Sequence, residues 1–444
     1  MIGRYAWSLV LLFSLAMPAF TQNGGPPKSA QRPQPLSLDQ AIRIALRVHP
    51  ALKEAEAVVT ASEARVSEAR AAYLPQLSLS GIGKIGLSGA TSALGLPGFA
   101  ASPFFRNATY SVNWFQTIFD FGRIKHFVAL ERALADSAKL NDAEEQQRIV
   151  LDIKRAYFAV LEAQQLEGVG KEAVKERELT LERAQAYAQA ELGSRLDVDL
   201  AEASLAEARG RLIQERNTVA TAFAALRAAM GVNGTQVYKL QASPLAVAPL
   251  PPLADLVQSA LKNRPDEQAL ESRIAAASEN VRLAHAQSLP SVNAFAAGGQ
   301  GRFNGTPVKD NQRHGVGAIG FSFPIFTGGR LKAQRQEARA QLDRTAAARE
   351  ELRQQIRLEV SRAYYGLLDL SERIRVADQQ RKAAEQALVL AQTRYEEQLS
   401  SFLDVLAAEA AATEARANYA SIRFSYQIAE GALDYATGAE PDYR

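Results

Sequence analysis

The sequence predicts a mainly α protein that also carries a membrane β-barrel, and three observations predict it. The chain is written twice, each copy contains a very long proline-free helical stretch, and each copy contains two short amphipathic segments of strand length. The expected order within a copy is helix, helix, strand, strand, long helical hairpin.

The duplication is read residue by residue. Leu38, Ala45, Leu46, Pro50, Glu56, Leu74 and Pro75 recur 215 residues later as Leu253, Ala260, Leu261, Pro265, Glu271, Leu289 and Pro290. Phe119, Gly122, Arg123, Arg155, Ala156, Tyr157, Leu196, Asp197, Val198 and Gly231 recur at a constant offset of 207 as Phe326, Gly329, Arg330, Arg362, Ala363, Tyr364, Leu403, Asp404, Val405 and Gly438. The offset changes once, between Pro75 and Phe119, across a Gly- and Ser-rich stretch where length changes are tolerated. The first repeat is placed at 36–232, a linker at 233–252, the second repeat at 253–438 and a tail at 439–444.

Ahead of the first repeat, Arg4 precedes an apolar run at 6–17, with small residues Ala19 and Thr21 behind it. This pattern is a secretory signal, placed at 1–21. The run is shorter than the ~20 apolar residues of a spanning helix. A Pro-, Gly- and Gln-rich flexible leader is expected at 22–35.

The long helices follow from composition and period. No Pro occurs between Pro103 and Pro244, nor between Pro324 and Pro441, and strong helix formers fill both stretches. Val360, Ala363, Leu367, Leu370, Ile374, Ala377, Arg381, Ala384, Leu388, Ala391 and Tyr395 alternate spacings of 3 and 4, and Arg381 alone breaks the apolar stripe. The matching stripe of the first copy, 153–188, is interrupted by Glu167, Gly170 and Arg177. Long hairpins are therefore expected at 124–230 and 331–437, with turns at Gly193-Ser194 and Ser400-Ser401.

Strands are expected at 75–84, 109–119, 290–299 and 315–325. Ile319, Phe321, Phe323 and Ile325 alternate with small or polar residues over part of the last one. Each segment has about the ~9–11 residues of a tilted transmembrane strand. Four strands cannot close a barrel alone, and an open edge is excluded from lipid, so an oligomer is expected.

Composition removes other classes. With no Cys, thiol chemistry and disulfides are absent, and His49, His126, His285 and His314 lie too far apart in sequence for helical metal-ligand spacing. The 51 basic and 48 acidic residues nearly balance, and no basic run points to nucleic acid. Asp197 and Asp199 have no His, Ser or Gly-rich companions that would make them an acid–base pair. The chain is not read as an enzyme, and no catalytic, cofactor-binding or metal residue is assigned.

Phe119-Asp120-Phe121-Gly122-Arg123 and Phe326-Thr327-Gly328-Gly329-Arg330 resemble the strand-to-helix motif of the outer membrane efflux proteins, the TolC-like family. Glu191-Leu192-Gly193-Ser194-Arg195-Leu196-Asp197-Val198 and Gln398-Leu399-Ser400-Ser401-Phe402-Leu403-Asp404-Val405 resemble that family's periplasmic hairpin turns. The resemblance implies a homotrimeric α/β barrel: a barrel in outer-membrane lipid continued by a coiled-coil tunnel across the periplasm. It further implies a passive channel of a tripartite efflux or type I secretion system, whose turns meet a periplasmic adaptor coupled to an inner-membrane pump. Gly193, Ser194, Arg195, Leu196, Ser400, Ser401 and Leu403 would then contact the adaptor.

The same resemblance marks Asp404, Tyr395 and Asp197 as candidates for the closed tunnel mouth. Asp404 falls where the family carries a constriction carboxylate, and Tyr395 matches an aromatic of its latch. Ala407 stands where well-known members have a second Asp, and Ser400 where they have an Arg, which points to a differently built latch. Both Asp residues also sit where acids cap helix starts. The competing class is an exported periplasmic coiled-coil adaptor or scaffold without a pore.

Overall fold

The computed structural model describes residues 34–87, 104–234, 238–242, 244–301 and 312–439. The expected signal segment and nearly all of the leader lie outside them. The elements run β1 (Gln34–Leu36), α1 (Leu38–Val48), α2 (Pro50–Ala71), β2 (Gln76–Leu87), β3 (Phe104–Phe119), α3 (Arg123–Gln189) and α4 (Arg195–Ala229) in the first repeat. The second repeats the order as β4 (Tyr238–Leu240), α5 (Leu253–Asn263), α6 (Pro265–Ala286), β5 (Ser291–Gly301), β6 (Gln312–Ser322), α7 (Arg330–Glu396) and α8 (Phe402–Thr437).

The two longest helices, α3 and α7, have 67 residues each, or ~100 Å at ~1.5 Å per residue. Each is partnered twice. Near the strands α3 packs on α2 and α6, and beyond its midpoint it packs on α4 and α8; α7 packs on α6 and then on α8. The seam follows the apolar stripe, with Val360, Leu367, Ala377 and Leu388 of α7 buried. Arg381, the break in that stripe, is met by Asp378 at 2.8 Å and Glu385 at 3.0 Å and lies over the Tyr419 ring.

At mid-height the two copies are closed by the same device. Gly231 and Gly438 end the returning helices at φ 66 and φ 67. A Cβ at Gly231 would stand 2.9 Å from His49 and Pro50, and one at Gly438 would stand 2.9 Å from Arg264. Only a residue without a side chain allows both the left-handed backbone and that approach. A core forms beside this joint from Ile42, Ile153, Tyr157, Val160, Leu226 and Met230. The Tyr157 hydroxyl reaches the Gln241 carbonyl at 2.7 Å and the Leu36 carbonyl at 2.9 Å, and accepts the Gln241 N–H at 3.1 Å. It thereby pins the small parallel pair β1–β4 to α3.

Charges tie the second repeat together at the same height. Glu267 of α6 is 2% exposed and is held by Arg349 at 2.9 Å and Arg353 at 2.8 Å from α7. Burial alone would lower the pKa of Arg264, yet Asp266 and Glu359, both at 2.6 Å, hold it above the usual arginine range.

The four longer strands form one antiparallel sheet in the order β2-β3-β5-β6, so one hairpin from each repeat meets at β3–β5. β6 ends at Ser322, short of the expected 325, and Pro324 just beyond it has no N–H to donate to a ladder. The register makes the sheet two-faced. Leu77 lies opposite Trp114, Leu79 opposite Val112, Ala294 opposite Ile319 and Val292 opposite Phe321, all on one apolar face. The other face carries Ser78, Ser80, Ser111, Asn113 and Asn293, interrupted by the cross-strand pair Phe115 and Phe295. There Asn113 donates to the Ser80 hydroxyl at 2.9 Å, and the Ser80 and Ser111 hydroxyls are 2.9 Å apart.

Candidate functional site at the hairpin tips

Both hairpins turn by the same local chemistry. Glu191 and Gln398 take φ 60, a left-handed stop to the long helices. The next N–H then folds back on an orphan carbonyl: Leu192 donates to Tyr187 at 2.9 Å and Leu399 to Arg394 at 2.7 Å. Each return helix opens with a capping box, Ser194 with Asp197 and Ser401 with Asp404. The Asp197 carboxylate accepts the Ser194 N–H at 3.1 Å, and Asp404 accepts the Ser401 N–H at 3.0 Å. Asp404 is solvent-exposed in the single chain, and Asp197 is half-buried.

Gly193, Ser194 and Ser401 lie within these turns. Arg195 pairs with Asp199 at 3.1 Å, and the Ser400 hydroxyl is buried without a partner. Four leucines related by the duplication project from the tips: Leu192 and Leu399 are each 62% exposed, Leu196 64% and Leu403 60%.

The two tips are packed on each other. Tyr395 lies between Tyr187 and Phe402, with ring centroids 5.6 and 5.5 Å away. Ala184, Val198, Ala201 and Phe402 form a buried cluster around them. Burial, with Asp197 and Tyr187 nearby, raises the Tyr395 pKa, so the ring stays a neutral phenol. Arg183 of α3 reaches Glu396 of α7 at 2.7 Å.

Farther from the tips, polar side chains run along the seam between α3 and α8. Arg416 bridges Glu176 at 2.8 Å and Glu385 at 3.2 Å. Glu409 is 1% exposed, accepts a hydrogen bond from the Thr180 hydroxyl, and leaves its other oxygen without a partner. Burial raises its pKa; Thr180 and Arg177 oppose that shift, and Glu176 adds to it. The sequence reading did not single out Glu409, although the signal was present. Phe402, Val405, Glu409 and Ala412 follow heptad spacing, so one acid stands among apolar seam residues.

At the opposite end, the strand-to-helix motif turns on Phe121 at φ 54 with Gly122 at φ 85, and on Gly328 at φ 60 with Gly329 at φ 85. In the first copy Asp120 caps the turn, accepting the Gly122 N–H at 3.0 Å and the Ile124 N–H at 2.7 Å. Thr327 replaces it in the second copy and gives no side-chain cap. The backbone bond from the Arg330 N–H to the Thr327 carbonyl, 3.1 Å, is shared with the first copy, where the Arg123 N–H reaches the Asp120 carbonyl at 3.2 Å. Phe119, Phe121, Ile325 and Phe326 are exposed around these turns, at the level where a barrel's aromatic girdle lies.

No helix among the described residues is long and apolar enough to cross a membrane, and no cluster of potential metal ligands occurs among them. A two-faced sheet mounted on ~100 Å helical rods is the architecture of a channel that continues from a membrane barrel into a helical tunnel. The sequence profile of the outer membrane efflux protein family matches residues 41–232 and 256–439, and the chain belongs to that family.

The chain is 28% identical over 360 residues to protein CyaE of Bordetella pertussis, covering 79% of this chain and 74% of that protein. It is 28% identical over 434 residues to the pyoverdine export outer membrane protein OpmQ of Pseudomonas putida, covering 90% of this chain and 85% of that protein. The Campylobacter jejuni CmeC outer membrane channel superimposes with a TM-score of 0.80 at 16% identity, over 90% of this chain and 85% of that one. The open state of the Neisseria gonorrhoeae MtrE outer membrane channel gives 0.75 at 23%, over 90% and 88%. The expected family, mainly α channel fold and outer-membrane location therefore stand, and family and fold are those of channels rather than enzymes.

Proposed function

We propose that three copies of this chain close a twelve-stranded barrel and form the outer-membrane duct of a tripartite efflux or type I secretion assembly. The observation that carries this reading is the two-faced sheet with open edges at β2 and β6. Antiparallel order throughout makes β6 run opposite to β2, so β6 of one copy can pair with β2 of the next and leave no edge in lipid. Two copies would give about eight strands and an interior filled by side chains; three give about twelve and a lumen. The apolar face then meets lipid, and the Ser and Asn face lines the water path. A pore-less scaffold would have no use for such a sheet.

The exposed tip leucines support a periplasmic adaptor as the partner at the far end. Asp404, Tyr395 and Asp197 are the gate candidates there. Under three-fold symmetry Asp404 supplies a ring of three carboxylates, which favours cations. The adaptor's inner-membrane pump supplies the energy, and the duct supplies the path. Planar-bilayer recording of the purified full-length assembly tests the reading: discrete single-channel steps are expected, and a protein that never conducts would refute it.

A further inference from the structure

At mid-height, beside the β1–β4 pair, lies an open pocket of about 710 Å³ whose lining includes the exposed Arg43 and Arg47 and the half-buried Arg227, with no acidic residue among the described residues that line it. Among the described residues none of these three guanidiniums has a carboxylate or other hydrogen-bond partner, whereas most arginines of the long helices are paired. Leu36, Ile44 and Val48 form an apolar wall beside them. The duplication supplies an internal control. The equivalent positions of the second copy are Gln258, Lys262 and Asp434, and Asp434 is itself neutralised by Lys154 at 2.7 Å. The joint between the helices therefore folds without three arginines, and their concentration in the first copy is not a requirement of the scaffold.

We infer that this pocket binds the carboxylate end of a peptide. Arginine forks grip carboxylates in a planar, bidentate way, and the volume and mixed lining suit a chain end of a few residues. The inference rests on the periplasmic placement of the helices, and height then decides the source of the anion. Tyr157, bonded to Leu36 at the pocket wall, is 34 residues along α3 from Arg123, or ~50 Å from the strands. Lipid headgroups are out of reach at that distance. Peptide stems of the cell-wall polymer and the carboxyl terminus of a periplasmic protein share the required chemistry.

The test uses the full-length assembly in nanodiscs. Calorimetric titration with acetyl-Lys-D-Ala-D-Ala should show binding of the free acid and none of its C-terminal amide. The triple variant Arg43→Gln, Arg47→Gln, Arg227→Gln should weaken the acid by about tenfold or more. A charge-matched control, Arg65→Gln, Arg70→Gln, Arg132→Gln, removes exposed arginines elsewhere and should bind as the parent does. Co-sedimentation with protein-free cell-wall sacculi separates the sources: loss of sedimentation in the triple variant assigns the wall stems. Binding of the free peptide without sedimentation assigns a protein terminus. Equal affinity for acid and amide, an unchanged triple variant, or a triple variant that no longer assembles would overturn the inference. The last would make the pocket a contact between copies. Channel recording on the triple variant should be unaltered, which keeps this test separate from that of the duct itself.

Discussion

The Asp404 carboxylate accepts both the Ser401 N–H at 3.0 Å and the Ser401 hydroxyl at 2.9 Å, so the residue proposed for the tunnel mouth also starts α8. Asp197 makes the equivalent box with Ser194 in the other hairpin. The duplication thus provides a matched pair in which capping is shared and gating need not be.

Asp404→Asn should lower the cation preference of the closed channel, because each assembly loses up to three carboxylates at one narrow level. Asp197→Asn, at a half-buried carboxylate, should change selectivity less than Asp404→Asn does. Both should lower the melting temperature slightly, by the equivalent of ~1 kcal/mol or less per cap. Reversal potentials in a salt gradient, read beside melting curves, check this. Unaltered selectivity in Asp404→Asn would leave that residue as a cap alone.

Glu409 gives the hairpin seam a pH dependence of known sign. Its folded-state pKa is raised, chiefly by burial, and the groups facing it are Thr180, Arg177, Arg183 and Glu176 of α3. Below the usual carboxylate range, folded and unfolded chains both hold the proton. As pH rises the unfolded chain releases it first, so this contribution is fully present in acid and is lost as pH climbs through the folded-state value. Glu409→Gln keeps an acceptor for Thr180 and cannot ionise. Its melting temperature relative to the parent should rise from about pH 4 to about pH 8. A constant difference between the two proteins across that window would contradict the assignment.

Tyr157→Phe should cost ~1–3 kcal/mol, because the Leu36 and Gln241 carbonyls lose the hydroxyl donor between them in a buried place, while the Gln241 N–H keeps the Leu36 carbonyl at 3.1 Å. Tyr364 is its counterpart in the second repeat, and its hydroxyl makes no hydrogen bond among the described residues. Tyr364→Phe should be nearly neutral. Equal shifts in the two melting curves would show that the hydroxyl of Tyr157 holds nothing.

The architecture was legible because duplication writes each signal twice. Proline-free stretches, heptad spacing and the Gly231–Gly438 pair all carry local physics that needs no tertiary knowledge. The short pair β1–β4 was not legible: three-residue strands at Gln34–Leu36 and Tyr238–Leu240 have no period to read, and both fall in stretches that look like a leader and a linker. The aromatic contact of Tyr395 with Tyr187 depends on how two hairpins meet, which no window of sequence contains, whereas its contact with Phe402 crosses its own hairpin turn. Glu409 was visible only as a flaw in an apolar stripe, and its meaning came from Thr180 on another helix, 229 residues away.

Native mass spectrometry of the assembly released from nanodiscs tests the central claim most directly. Open edges at β2 and β6 require other copies to close the sheet, and a lumen requires more than two. The account predicts one dominant species with the mass of three chains. A membrane-inserted species of one chain, or a stable pair, would contradict it.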